Sequence, residues 1–388
     1  MNSGNDLNRI YTEEELNISR ALELSLGNDE STSYNFLREE VVDPHKRIRQ
    51  NNEPVGIKNI GNTCWFSCIM QCLFNHSSFR NFILLLQFND SSLHQSSYLV
   101  KLQQFFSVLI GADQGYIDPS DMIDLIKMMN LNIKVGTENS FQQDAIEFFN
   151  FQLQWIESNL EVFDSSTSME LRKIFYGKIA ETDNIIDFSV ISVDVEISNT
   201  LNNHLDSLLS VSKFYGINQN QFLFETLPEC LIFSLPHLKF DKDTGTSYKM
   251  NSNFQIQQEL NLSRYTDTIN SSIPVIYQLF SIIVHEGNSM TGHYISFNKS
   301  CINNLWYKMN DTVMNQVNFE DVIKFVDVSN QNESENTEKI SKTLCCLFYK
   351  PLQFDEIPIN SIELLNYKLK EHVANHNSIF YNELENKY

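Results

Sequence analysis

The sequence lacks the features that would place the chain in a membrane or on nucleic acid. Its longest apolar runs, such as residues 82–86, are far shorter than the roughly 20 residues that a bilayer-spanning helix requires. Basic residues are scarce, since 28 lysines and arginines stand against 49 aspartates and glutamates, and the formal net charge is −21. Because phosphate backbones and anionic lipids would repel such a chain, we expect neither nucleic acid nor a membrane to be its partner.

The sequence also lacks paired metal-ligand spacings and a signal-peptide core. None of its seven cysteines forms a C-x-x-C pair, which disfavours a disulfide framework and a four-cysteine zinc site. The phosphate-binding motif G-x-x-x-x-G-K-[ST] is missing, and His285-Glu286 is not followed by the second histidine of a zinc-protease helix. We therefore expect a protein of the cytoplasm or nucleus that needs no metal or other cofactor.

What the sequence does contain is a stretch, residues 55–66, in which glycines and asparagines precede Cys64. Apolar residues recur after Cys64 with helical spacing, which predicts a buried helix over residues 64–75. Cys64 would then lie in the first turn, where unpaired N–H groups and the helix dipole stabilise an anion. A thiolate placed there is a good nucleophile, and nearby amides can hold an oxyanion. The later cysteines, Cys68 and Cys72, are predicted to be core residues.

A cysteine nucleophile needs a base, and the base needs a residue that orients it. Two histidines are close in sequence: His285 ends a predicted strand, and His293 begins the next one after a glycine-containing loop. A further strand precedes Asn310 and Asp311, so a hairpin would bring one of these side chains beside His293 and fix its tautomer. From the pattern alone, however, a lone histidine is more often structural.

The predicted elements change character along the chain. Apolar periodicity predicts helices from about residue 64 to 160, and β-branched or alternating segments predict strands after about residue 174, including one over residues 185–198. Helices followed by strands indicate an α+β domain, with the Cys64 helix packed on the later sheet. We divide the chain into a polar leader (1–52), a main domain (53–352) and a C-terminal helical extension (353–388).

The polar leader carries one helical pattern, over residues 13–30. Acidic residues come first, and one face then presents four residues with i, i+3, i+4, i+7 spacing: Ile18, Ala21, Leu22 and Ser25. A small alanine within an apolar stripe allows a partner surface to approach closely. The alternative is a short amphipathic helix that packs on its own domain.

Four stretches resemble sequence blocks of the ubiquitin-specific proteases, and they occur in the family's order. Residues 56–67 resemble the cysteine box, and residues 284–294 with 306–311 resemble the histidine box. Residues 142–148 and 227–233 resemble two further blocks. The leader pattern resembles a ubiquitin-interacting motif, which points to the subgroup of the family that carries this motif.

The resemblance implies a thumb, palm and fingers around a papain-like site that hydrolyses bonds at the C-terminal glycine of ubiquitin. In that site Cys64 would be the nucleophile and His293 the base. The resemblance gives three further residues supporting roles: Asn310 as the orienting residue, Asp311 as its helper or substitute, and Asn59 as an oxyanion donor. It places four residues along ubiquitin's tail: Gln143, Asp144, Gly292 and Tyr294.

Two departures from the family qualify this resemblance. Residues 265–277 are short where the subgroup inserts a coiled-coil arm tied to oligomers, so the resemblance implies a monomer. The fingers of many members hold two C-x-x-C pairs, and residues 174–274 contain none, so we expect no zinc. Two alternatives stay open: a non-catalytic adaptor that binds ubiquitin, and a protease for another ubiquitin-like modifier.

Overall fold

The computed structural model describes most of the main domain and its C-terminal extension. The described residues are 43–50, 53–88, 97–129, 143–160, 165–181, 184–214, 224–236, 238–241, 246–250, 253–266, 273–287, 292–326, 341–353 and 358–386. They all belong to one compact unit, Val41–Tyr388. The predicted ubiquitin-interacting helix at residues 13–30, with its face of Ile18, Ala21, Leu22 and Ser25, lies outside the described residues.

A layer of helices comes first along the chain. Its members are α1 (Cys64–Asn75), α2 (Ser77–Leu85), α3 (Ser97–Gly111), α4 (Ser120–Met129), α5 (Ala145–Leu160) and α6 (Ser165–Phe175). All 12 residues of α1 are buried, and the sequence predicted this helix with the observed bounds. Helix α6 was not predicted, because only its last turns carry an apolar face: Leu171, Ile174 and Phe175.

Two short strands lie before or among the helices of this layer, and the other strands of the described chain follow α6. The strands are β1 (Gly56–Ile57), β2 (Tyr116–Ile117), β3 (Gly177–Glu181), β4 (Asn184–Phe188), β5 (Ile191–Ser192), β6 (Phe224–Thr226), β7 (Leu231–Ser234), β8 (Leu238–Asp241), β9 (Thr246–Lys249), β10 (Glu259–Asn261), β11 (Ile276–Gly287), β12 (Gly292–Lys299), β13 (Trp306–Asn310), β14 (Val313–Val317) and β15 (Ser341–Pro351). Eight form the main sheet, with the order β14-β13-β12-β11-β15-β7-β5 and β10 paired to β11. Smaller sheets have the orders β1-β2, β4-β3-β6 and β8-β9.

Both faces of the main sheet are covered. Along β15, Cys346 and Phe348 belong to the core under the helical layer, whereas Leu347 and Tyr349 belong to a second core on the opposite face. The second core also takes side chains from two later helices, α7 (Leu201–Phe214) and α8 (Phe319–Val326). A strand that is buried on both faces has apolar residues at successive positions. The sequence therefore predicted β11 and β15 correctly.

This architecture is the α+β fold that the sequence predicted. The helical layer corresponds to the thumb, the main sheet to the palm, and the β4-β3-β6 sheet lies in the part of the chain assigned to the fingers. The single strand predicted over residues 185–198 was wrong. The chain leaves β4 after Phe188, enters the main sheet as the short β5, and then turns where the Asp194 carboxylate accepts a hydrogen bond from the N–H of Glu196 at 3.0 Å.

The C-terminal extension folds onto the helical layer. Its helix α9 (Tyr367–Asn386) packs against α3 and against the short 3₁₀ turn Pro44–Arg47. Arg47 pairs with Glu383 at 2.5 Å, so residues 43–50, which the sequence assigned to the polar leader, belong to the packed structure. We call α9 together with residues 43–50 the C-terminal clasp. Among the described helices, none has the length and apolarity needed to cross a bilayer.

Candidate active site

Cys64 begins α1 and follows a loop that the side chain of Asn59 holds in shape. Asn59 Oδ1 accepts hydrogen bonds from the backbone N–H groups of Gly61 and Thr63, at 3.2 and 3.0 Å, and from the Thr63 hydroxyl at 3.2 Å. Gly61 and Asn62 have φ values of 110° and 53°, which glycine and asparagine tolerate better than other residues. The loop therefore turns sharply and places Cys64 at the N-terminus of a buried helix.

His293 lies near the start of β12, the strand against which α1 packs. Its Nε2 is 2.6 Å from Asn310 Oδ1 and 3.6 Å from Asp311 Oδ2. Asn310 is the last residue of β13, and β12 and β13 form an antiparallel pair, so the hairpin expected from the sequence brings these residues together. Since a carboxamide oxygen can only accept, Nε2 donates, and Nδ1 is left as the ring nitrogen that can exchange a proton with a thiol.

The surroundings of His293 favour its charged form. Burial lowers the pKa of this imidazole, but four contributions outweigh burial and raise the pKa to about 9: the hydrogen bond and the charge of Cys64, the charge of Asp311 and the bond to Asn310. A histidine cation beside a cysteine stabilises the thiolate, which is the nucleophilic form of the side chain. The arrangement therefore suits an imidazolium–thiolate pair.

The turn at Asp311 joins the loop before Cys64 to the histidine. Asn59 Nδ2 donates to Asp311 Oδ2 at 3.1 Å, and the backbone N–H of Ile57 donates to the Asp311 carbonyl oxygen at 2.9 Å. A Cβ atom at Gly56 would lie only 2.8 Å from that same oxygen, so glycine is required for this close approach. The amide of Asn59 is thus engaged with the protein, and its donation to an oxyanion stays a prediction.

The residues predicted to contact ubiquitin's tail lie on two elements. Asp144 is exposed just before α5, and its Oδ1 accepts from the backbone N–H groups of Ile146 and Glu147 at 2.8 and 2.9 Å, which caps that helix. Gln143 precedes it and is half-buried. These two residues therefore stand at the N-terminus of α5, outside the hydrogen-bonded group around His293.

The other two predicted tail contacts flank His293 on β12. Tyr294 is 3% exposed, and its ring packs edge-on against His285 with 4.8 Å between centroids. Burial raises the pKa of the Tyr294 phenol, and the charges of Cys345, Asp144 and Cys64 add to the effect. At Gly292 a Cβ atom would lie 2.2 Å from His285 Nε2, which leaves no room for a side chain.

Of the other cysteines, five are buried in the core and Cys301 is partly exposed. None of the seven cysteines, all of which are among the described residues, forms a disulfide, and Cys68 and Cys72 are buried in α1, as predicted. Burial raises the pKa of the Cys68 thiol well above its ordinary value, so this side chain stays protonated. Within the described ranges, no three His, Cys, Asp or Glu side chains gather into a group that could hold a metal ion.

A thiol at a helix N-terminus, a histidine on a facing strand and an asparagine that orients it form the arrangement of papain-like cysteine proteases. A family model described as "Ubiquitin carboxyl-terminal hydrolase" matches residues 55–349, and the chain belongs to this family. The match includes every residue of the site described above. It ends before the C-terminal extension and begins after residues 43–50.

Curated relatives support the same family. The chain is 26% identical over 299 residues to ubiquitin carboxyl-terminal hydrolase 26 of Oryza sativa subsp. japonica, an alignment that covers 69% of this chain and 26% of the relative. It is 24% identical over 315 residues to ubiquitin carboxyl-terminal hydrolase 48 of Danio rerio (73% and 29%), and 26% identical over 255 residues to ubiquitin carboxyl-terminal hydrolase 28 of Rattus norvegicus (57% and 23%). The chain therefore spans only 23% to 29% of the length of these relatives.

Proposed function

We propose that the protein is a deubiquitinating cysteine protease, which hydrolyses isopeptide or peptide bonds at the C-terminal glycine of ubiquitin. The observation that carries this proposal is the convergence of Cys64 and Asn310 on the His293 ring, inside the region that matches the family. The relatives are named ubiquitin carboxyl-terminal hydrolases, which agrees with this reaction.

The reaction begins when the Cys64 thiolate attacks the carbonyl carbon of the terminal glycine. His293 gives its proton to the departing amine, the C–N bond breaks, and an acyl-enzyme thioester forms. His293 then takes a proton from water, the resulting hydroxide attacks the thioester carbonyl carbon, the C–S bond breaks to regenerate the Cys64 thiolate, and ubiquitin leaves with a free carboxylate. Asn310 keeps Nε2 occupied as a donor, so the same ring nitrogen faces the thiol in both halves of the cycle.

The negative charge that develops on the glycine oxygen needs donors close to Cys64. Backbone N–H groups at the start of α1 supply them, because the first residues of a helix have no acceptor within it. Asn59 Nδ2 lies in the same loop, and it would exchange its bond with Asp311 for one with the oxyanion. Losing one such donor typically slows the reaction by about 100- to 1,000-fold.

In this proposal, ubiquitin is recognised by a charged contact with its tail and by a channel too narrow for most side chains. The exposed Asp144 carboxylate suits the basic part of ubiquitin's tail, and Gln143 stands beside it. The closely packed surface at Gly292 and Tyr294 suits a pair of glycines and excludes residues with side chains. Specificity would then come from what the channel cannot hold, through the difference in transition-state binding.

The leader and the cellular setting complete the proposal. The face formed by Ile18, Ala21, Leu22 and Ser25 would bind ubiquitin within conjugates or chains. The enzyme would act as a monomer without cofactors, and seven cysteines without a disulfide suit the reducing cytoplasm or nucleus. An acidic protein also suits a partner with a basic face.

A ubiquitin probe with a C-terminal electrophile tests the proposal directly. We expect the probe to form a covalent adduct with wild-type protein, and Cys64→Ala to abolish both the adduct and the cleavage of a fluorogenic ubiquitin conjugate. Cys301→Ala is the matched control, because Cys301 is a partly exposed free thiol outside the site and should leave labelling unchanged. Cleavage that survives Cys64→Ala would overturn the assignment.

The same experiment separates the two alternatives. A non-catalytic adaptor would bind ubiquitin chains without becoming labelled at Cys64. A protease for another modifier would be labelled by the corresponding probe of that modifier and not by the ubiquitin probe. Parallel probes with otherwise identical electrophiles therefore decide among the three readings.

A further inference from the structure

Lys249, at the end of β9, binds the end of a strand in a different sheet. Its Nζ donates to the backbone carbonyl oxygens of His285 and Gly287, at 3.0 and 2.9 Å. Burial lowers the pKa of this ammonium to about 8, although the nearby charges of Cys345 and Glu286 act in the opposite direction. A buried ammonium needs such acceptors, because burying it without hydrogen bonds would be costly.

The two carbonyl groups lie on the strand that pairs with the catalytic histidine. In the register between β11 and β12, Glu286 is opposite His293 and Gly287 is opposite Gly292. The carbonyls that Lys249 binds therefore flank Glu286, the cross-strand neighbour of His293. Lys249 thus holds the end of β11 at the position where its partner strand carries the base.

The backbone at the end of β11 needs a contact from outside the strand to fix its position, and any change in that position would also displace β12. Gly287 has a φ of 134°, a conformation open to glycine, so the chain at this point has more freedom than in the rest of the strand. On the other side, a Cβ atom at Gly292 would lie only 2.2 Å from Nε2 of the His285 ring and 2.6 Å from the carbonyl oxygen of Glu286. A shift at the end of β11 that moved the His285 ring or the Glu286 carbonyl group would therefore press on Gly292, the residue before His293.

We propose that Lys249 is a positioning residue of the active site. Its ammonium fixes the carbonyls of His285 and Gly287, and through the close contact with Gly292 it keeps His293 aligned with Cys64. This inference rests on the proposed function and deepens it. Lys249 lies within the matched region, yet neither the cysteine box nor the histidine box contains it.

The β8–β9 hairpin also offers a matched control. Lys239 lies on β8, is exposed, and pairs with Glu196 at 2.6 Å. Lys239→Met and Lys249→Met therefore remove the same charge from the same hairpin, but the second removes the ammonium that donates to the carbonyl oxygens of His285 and Gly287. Lys249→Arg is the conservative variant, because guanidinium can donate to two carbonyl groups at once.

The test measures kcat and KM on a fluorogenic ubiquitin conjugate, together with the pH profile of Cys64 alkylation by iodoacetamide. A displaced catalytic group typically costs up to about 100-fold in rate. We expect Lys249→Met to lower kcat by roughly 10- to 100-fold with little change in KM, and to alter the alkylation profile. Lys249→Arg should recover most of the activity, and Lys239→Met should behave as wild type.

The outcomes separate this inference from the proposed function. Alkylation needs no ubiquitin, so a profile altered by Lys249→Met and restored by Lys249→Arg supports the positioning role even if ubiquitin conjugates are not cleaved. An unchanged profile and an unchanged kcat in Lys249→Met would overturn it, and so would a lowered melting temperature without either change. If Lys249→Met does not fold, Lys249→Gln, which keeps a donor nitrogen but no charge, is judged by the same criteria.

Discussion

The active site and the C-terminal clasp both use asparagine side chains to join segments that lie far apart in sequence. Asn59 binds Asp311 across 252 positions, and Asn377 binds Gly111 across 266. In the active site this bond ends on a carboxylate that lies 3.6 Å from the ring of His293, whose proton must move during the proposed reaction. In the clasp the bonds of Asn377 end on backbone atoms that take no part in that reaction.

The clasp supplies hydrogen-bond partners for backbone groups at the end of α3. Asn377 Nδ2 donates to the Gly111 carbonyl oxygen at 2.9 Å, and its Oδ1 accepts from the backbone N–H of Asp113 at 3.1 Å. The family match ends at residue 349, so the helix that carries Asn377 lies outside it. The same chemical group thus lies at the candidate active site inside the match and docks a helix outside it. Losing the first should change rates, and losing the second should change stability.

Among the substitutions that test this contrast between rate and stability, His293→Gln is expected to have the largest effect. Removing the general acid and base should lower kcat/KM by roughly 100- to 10,000-fold, while the unfolding midpoint stays close to that of wild type. In the wild-type enzyme, kcat/KM should decline as pH rises through about 9, because His293 then loses the proton that the leaving amine needs. A variant that retained wild-type activity would exclude His293 as the base.

A smaller loss of rate is expected for Asn310→Ala. The substitution leaves Nε2–H of the buried His293 without its 2.6 Å acceptor, a change worth about 1–3 kcal/mol. If the whole cost falls on the transition state, the rate drops by roughly 5- to 150-fold. Asn315→Ala, at an exposed position on β14, is the control and should have no effect. An unchanged kcat would transfer the orienting role to Asp311, which lies 3.6 Å from the ring.

The smallest effect on activity is expected for Asn377→Ala. This variant should lose about 1–3 kcal/mol of unfolding free energy, because buried backbone groups at the end of α3 lose their partner. Its kcat at a temperature well below the midpoint should stay unchanged. Asn375→Ala, exposed on the same helix, should alter neither quantity. A fall in kcat without a fall in stability would break the contrast by tying the clasp to the chemistry.

The core of the candidate site could be predicted because its constraints are local. A helix start, a hairpin and a turn each extend over a few residues, so residue type and spacing are enough to bring Asn310 to His293 and Cys64 to a helix N-terminus. The contact between Asn59 and Asp311 could not be predicted in the same way. It depends on how two distant loops meet, and the single amide of Asn59 can serve a loop, a carboxylate or an oxyanion equally well.

The fold shows the same difference between local features, which could be predicted, and contacts between distant segments, which could not. The continuous apolar runs of β11 and β15 predict buried strands, but the break after Phe188 depends on which sheet each half joins. In α9 the buried residues recur with helical spacing, which predicts a helix with one covered face: Leu369, Val373, Asn377 and Phe380. That spacing does not reveal that the covering surface is α3 rather than another protein.

The close approach at Gly56 gives the enzyme a point of failure that is separate from its reactive groups. Any side chain at position 56 would meet the carbonyl oxygen of Asp311 and the backbone of Thr312, and would force the strand before the nucleophile away from the turn beside the base. A protein altered there would keep its thiol, its imidazole and its proposed ubiquitin-binding surface, yet hold them in the wrong relative positions. A disabling change can therefore arise at a residue that has no side chain to lose.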